Sequence, residues 1–93
     1  MELVSKLRRR AADGDPIRIG IVGCGQMGSG LAHAINNIAG MRVAAIADLD
    51  PGLGVTTFGD MGRDAAEIEV SEDPGTVEDG IRAGKAMVTP DAL

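Results

Sequence analysis

Three glycines and one aspartate carry the most specific chemistry in this chain. Gly23-Cys24-Gly25-Gln26-Met27-Gly28 follows directly on the apolar run Ile17-Arg18-Ile19-Gly20-Ile21-Val22, and Asp48 lies twenty positions beyond Gly28. A strand, a glycine turn, a helix and a distant acid are the parts of a βαβ unit that binds a dinucleotide. Gly23 would make the tight turn out of the strand, and Gly25 would let the backbone approach a pyrophosphate. Gly28 would let the helix lie close to the strand. The N–H groups of Gln26, Met27 and Gly28, at the positive end of the helix, would then face the phosphates. Asp48 would accept hydrogen bonds from the adenosine ribose. No Lys or Arg stands in Leu49-Asp50-Pro51-Gly52-Leu53 to meet a 2′-phosphate, so charge favours NAD, with NADP still open. The plain alternatives are a glycine turn used only for packing and a solvated turn carboxylate at Asp48.

Other reactive residues give less. Cys24 sits between two glycines, where a small side chain fits; a redox thiol at a helix start is the competing reading. His33 falls off the apolar stripe of its helix and is expected to face solvent. The carboxylates Asp64, Glu67, Glu69, Glu72, Asp73, Glu78 and Asp79 show no pairing pattern and read as solubilising surface. No residue makes a convincing proton relay for hydride chemistry, which the cofactor itself would carry. No catalytic residue and no metal ligand set is therefore assigned.

The positioning elements follow from periodicity. Leu3, Val4 and Leu7 recur at helical spacing before the stop Asp13-Gly14-Asp15-Pro16. Residues 17–22 read as a strand apolar on both faces except at Arg18, the pattern of a central parallel strand. Met27, Leu31, Ala34, Ile35 and Ile38 give a helix over 26–39, with Gly40 as its terminal glycine, and Ala32 continues the close-packing face of Gly28. A second strand spans 42–47, followed by an Asp50-Pro51-Gly52 turn. The glycine-rich stretch 52–66 is ambiguous, with a short helix expected near 60–66. Ile68 and Val70 mark a short strand. Asp73 as N-cap and Pro74 as first residue open a helix over 74–83, closed by Gly84, and 86–89 is a last short strand. The expected fold is α/β, a partial Rossmann domain with a doubly wound parallel sheet about half built at Leu93. Residues 1–15 form a leading helix and turn, and 16–93 the incomplete dinucleotide-binding domain.

Composition bounds the rest. The chain has 93 residues, 14 glycines and a single aromatic residue, Phe58. Few large side chains and many flexible positions predict marginal stability, or reliance on a homo-oligomer or a missing C-terminal half. A net charge of −5 argues against general nucleic-acid binding, and Lys6-Leu7-Arg8-Arg9-Arg10 reads as the solvated face of the first helix. One cysteine rules out an internal disulfide or a multi-cysteine metal site. No stretch has the length of a membrane span and no apolar signal core opens the chain, so a reduced, cytoplasmic setting is expected.

The run from Pro16 to Gly28, together with Gly40-Met41-Arg42-Val43 and Ile46-Ala47-Asp48-Leu49-Asp50-Pro51, resembles the N-terminus of homoserine-dehydrogenase-like NAD(P)-binding oxidoreductases. Within that group it is similar to the bacterial members that carry a C-terminal SAF domain, among them deoxyxylulose-phosphate-reductoisomerase-like enzymes. The leading helix and the later Ile81-Arg82-Ala83-Gly84-Lys85 with Val88-Thr89 also suit that subgroup. The resemblance covers most of residues 3–50 and implies cofactor contact at Gly23, Gly25, Gly28 and Asp48. Such enzymes continue into further strands and a substrate domain, which residues 1–93 do not include. Two readings result: the N-terminal dinucleotide-binding portion of an oxidoreductase, incomplete as a catalyst, or a non-catalytic half-Rossmann module that folds with a partner.

Overall fold

The computed structural model describes residues 2–23 and 26–90, the side chains of Gln26, Met27 and Ser29 excepted. The elements in chain order are α1 (Glu2–Ala12), β1 (Ile17–Val22), α2 (Gln26–Asn36), β2 (Met41–Ala47), α3 (Pro51–Asp60), a 3₁₀ turn (Ala65–Glu67), β3 (Ile68–Val70), α4 (Pro74–Arg82) and β4 (Ala86–Thr89). Every strand pairing is parallel, in the order β1-β2-β4-β3. The protein is thus an α/β fold of Rossmann-like type.

The strand order corrects one expectation. Dinucleotide domains of the common kind place their first strand in the middle of the sheet, in the order 3-2-1-4-5-6. Here β1 is an edge strand, and its burial alternates, with Val22 71% exposed. An apolar composition on both faces therefore did not mean burial on both faces. One face of β1 has no helix over it among the described residues.

Helices cover both sides of the sheet. Gly54 of α3 lies against Ile46 and Val88, whereas Gly80 of α4 lies against Met87. Met87 and Val88 are consecutive in β4 and point to opposite faces, so α3 and α4 flank the sheet from opposite sides. The first face holds the main core: Ile21, Ala32, Val43, Ile46, Phe58, Ala86 and Val88, with Ile35, Met61 and Ile68 against it. Val43 and Ile46 share that face although they are three residues apart. Ile19 pairs with Val43 but Gly20 pairs with Ala45, so Ala44 is an extra, buried residue that resets the alternation.

Local chemistry explains the elements that sequence periodicity misplaced. Asp50 is an N-cap rather than a turn residue: its Oδ1 accepts the Gly52 N–H at 3.0 Å, and Pro51 occupies the first helical position of α3. The glycines at 52, 54 and 59 hid this helix, and of the short helix expected near 60–66 only the end of α3 and the 3₁₀ turn Ala65–Glu67 are present. Asp73 and Pro74 open α4 in the same way, as expected. Helix α2 stops at Asn36, not 39, and Gly40 is not its cap. Gly40 has φ +86° and packs against the backbone of Leu7, where an added Cβ would overlap the Leu7 carbonyl. Among the apolar residues of α1 only Leu7 is buried; Leu3 and Val4 are exposed. Arg8, Arg9 and Arg10 are exposed, the solvated face that the charge run suggested.

The face of α2 also differs from the periodic stripe. Ala32 is fully buried and Ile35 partly so, while Leu31 is 55% exposed and Ala34 and Ile38 are exposed. His33, expected in solvent, is half-buried instead. The close contact at Gly28 sets the rotation of the helix, and of the larger residues of the stripe Leu31 and Ile38 fall outside the buried face.

Candidate functional site at the carboxyl edge of the sheet

The register of the first two strands places the candidate residues side by side. Val22 pairs with Ala47, so the next residues, Gly23 and Asp48, leave neighbouring strands at the same edge. The Gly23 N–H donates to the Ala47 carbonyl at 2.7 Å, carrying the pairing one residue past the strand. Gly23 has φ +83°, a left-handed conformation that glycine adopts without strain. Helix α2 starts three residues later. Its Gly28 lies directly against the Gly23 carbonyl: an added Cβ would overlap that oxygen. Only a residue without a side chain permits this approach, which holds the helix start over the end of β1.

Cys24 and Gly25 lie outside the described residues. Gln26 and Met27 are the first two residues of α2, and their backbone N–H groups belong to the open first turn, which has no helical acceptor. The first turn of α2 carries no acidic residue to compete for an anion.

Asp48 is held by two neighbours. Its N–H donates to the Thr89 carbonyl at 2.9 Å, tying it to the end of β4. Its Oδ1 accepts the Asp50 N–H at 2.8 Å, which orients the carboxylate. Asp50 in turn caps α3. Asp48 is half-buried, whereas the adjoining Leu49 is 87% exposed. Sequence reasoning missed the parts played by Asp50 and Thr89. The Asp-Pro pair was the available signal for Asp50, being the same one that marked Asp73-Pro74. Nothing local could mark Thr89, whose role depends on which strand lies beside β2.

Asp48, Asp50, Glu72 and Asp73 follow the carboxyl ends of the strands, whereas the amino ends carry both signs, with Arg18, Arg42, Arg63 and Lys85 beside Asp15, Asp64 and Glu67. Asp73 is held below the usual carboxylate range, first by the Thr76 hydroxyl (2.8 Å) and then by the Thr76 N–H (3.1 Å). Among the described residues, no three His, Cys, Asp or Glu side chains gather as a metal site. No helix among them is long and apolar enough to cross a membrane.

No family model matches the sequence. A segment of 35 residues, 38% of the chain, is 49% identical to a glycosyl hydrolase family 109 protein of Shewanella amazonensis. The similarity thus extends over 8% of that protein's length.

Proposed function

We propose that the chain forms the adenosine end of a dinucleotide site in an NAD-dependent oxidoreductase. The observation that carries this reading is the joint geometry of Gly23, Gly28 and Asp48. A left-handed glycine ends the first strand, a helix start is seated on its carbonyl, and an oriented carboxylate ends the adjacent strand. These features fit the cofactor. The Gly23–Gly28 contact leaves no Cβ between the strand end and the helix, and the open N–H groups of Gln26, Met27 and Gly28 suit a pyrophosphate. Gly25 belongs to the same cradle by its place in the motif. Asp48 would take the ribose hydroxyls, and Asp50 beside it adds a second negative charge that disfavours the 2′-phosphate of NADP. When bound, the nicotinamide supplies hydride chemistry; residues of this chain bind and orient only its other end.

The narrower affiliation, to homoserine-dehydrogenase-like enzymes with a C-terminal SAF domain, rests on the motifs alone. The similarity to a glycosyl hydrolase family 109 protein supports an alternative whole-protein activity, on a glycoside.

The test is a thermal melt with NAD and with NADP. Ligand at a hundredfold its dissociation constant adds about 2.7 kcal/mol. NAD is expected to raise the Tm more than NADP at equal concentration, and Asp48→Ala to shrink the NAD shift. A folded chain with no shift from either dinucleotide refutes the proposal.

A second reading has its own support. β1 is an uncovered edge, and Val22 and Leu49 are exposed beside it. A half-Rossmann module completed by self-association would use that edge. Gly25→Val separates the two, since it should abolish dinucleotide binding but leave oligomerisation intact.

A further inference from the structure

At the end of the sheet opposite the glycine loop, an open recess of about 470 Å³ is lined by Pro16, Asn36, Met41, Arg42, Arg63 and Glu67 among others. That volume falls in the range of small-molecule sites. Arg42 and Arg63 both donate an Nη2–H to one acceptor, the carbonyl of Gly84, the Arg63 bond being 2.7 Å long. Gly84 lies just past the end of α4, where helix carbonyls carry partial negative charge. That carbonyl holds two guanidinium groups against each other despite their repulsion. Arg18, paired in register with Arg42, adds a third cation and makes no ion pair among the described residues.

The local compensation is small. Glu67 faces Arg63 at 3.4 Å, and its side chain is 54% exposed. Three arginines against one glutamate is a positive excess in a chain whose net charge is −5. Burial, followed by the nearness of Arg63, lowers the proton affinity of Arg42. The Arg63 Nε is buried with no acceptor. Like charges brought together, plus an orphaned buried donor, raise the free energy of the fold.

We propose that this recess binds the oxyanion head of a small molecule, a carboxylate or a phosphate group, through Arg42 and Arg63. Each guanidinium has five N–H donors in a planar fork. The shared bond to Gly84 fixes both forks and leaves donors on each for a ligand. Pro16 and Met41 offer apolar surface to the body of the ligand, and Asn36 a polar group. The site lies at the amino edge of the sheet, away from Asp48, so its occupancy is independent of the dinucleotide reading.

The experiment is an amide-shift titration of the full 93-residue chain, with sodium phosphate in one arm and sodium acetate in the other. Sodium chloride at matched ionic strength is the reference. Saturable shifts at Arg42, Arg63 and Gly84 with either anion are expected, and the stronger arm identifies the head group. Glu67→Gln removes the competing carboxylate from a half-exposed position and should tighten binding by about threefold to tenfold. Arg42→Gln should weaken it by roughly tenfold or more. Shifts that match chloride in both arms overturn the proposal, as does unchanged affinity in Glu67→Gln. Glu67→Gln keeps the test decisive where Arg42→Gln disturbs folding through Gly84.

Discussion

Replacing Gly28 with alanine tests the contact on which the candidate site depends. In the interior of a helix this change ordinarily stabilises by about 1 kcal/mol, because alanine has less backbone entropy to lose. Here the new Cβ would overlap the Gly23 carbonyl oxygen and touch the Gly23 carbonyl carbon at 3.0 Å. Both partners are backbone, so no side chain can rotate away, and overpacking of this kind costs about 1–3 kcal/mol. The upper part of that range applies, leaving a net loss of about 1–2 kcal/mol. For a domain of this size each kcal/mol moves the Tm by about 4–8 °C, so a fall of roughly 5–15 °C is expected. Gly30, in the same helix, is the internal control. It is exposed, and its Cβ would have no atom within 4 Å, so Gly30→Ala should stabilise by about 0.5–1 kcal/mol. Melts followed by far-UV circular dichroism suit a chain without Trp or Tyr. A Gly28→Ala variant that melts at or above the parent, while Gly30→Ala rises, would show that the helix does not rest on the Gly23 carbonyl.

Three further outcomes are expected. Phe58, the one aromatic residue, is fully buried in the main core, and Phe58→Ala should lose about 3–5 kcal/mol, read as a lower urea midpoint at unchanged slope; a loss below 1 kcal/mol would contradict its central place. Asp50→Ala should cost about 1 kcal/mol through the lost cap of α3, with Asp50→Asn near the parent, and equal melts for all three proteins would remove Asp50 as the cap. Asp73 has a folded pKa below its ordinary value of 3.8, so its contribution is complete above about pH 4 and is lost as pH falls through the folded value. The Tm difference between the parent and Asp73→Asn should therefore shift against the parent only below about pH 4, and a difference that is flat from pH 6 to pH 2.5 would refute the assignment.

The sequence by itself determined the elements whose signals are local. Val22-Gly23 marked the end of a strand, because a left-handed turn needs glycine and the apolar run stops there. Asp73-Pro74 and Gly84 marked both ends of α4, because capping chemistry acts within one helical turn. That Gly23 and Asp48 each follow the end of a strand was also legible, since the apolar runs stop there, but their adjacency comes from the parallel register of β1 with β2. Asp50-Pro51 carried the same capping signal, but the glycines that follow it lowered the helical propensity enough to mask α3. Those glycines are tolerated because Gly54 packs directly on Ile46 and Val88, a tertiary gain that no local pattern displays.

Only the tertiary structure decided the strand order, the side of α2 that is buried and the use of the charges. An apolar strand pairs equally well at an edge or a centre, so the composition of β1 could not show that Val22 stays exposed. The rotation of α2 came from one backbone contact at Gly28, which outweighed the stripe of Leu31, Ala34 and Ile38. The extra residue Ala44 brought Val43 and Ile46 to one face through its partner's register, information held in two strands at once. Arg42, Arg63 and Gly84 are far apart in the chain and meet only because β4 lies beside β2. Local chemistry acts over a few residues and is written in the sequence. Contacts closed by long loops depend on which surfaces meet, and that is settled when the whole chain packs.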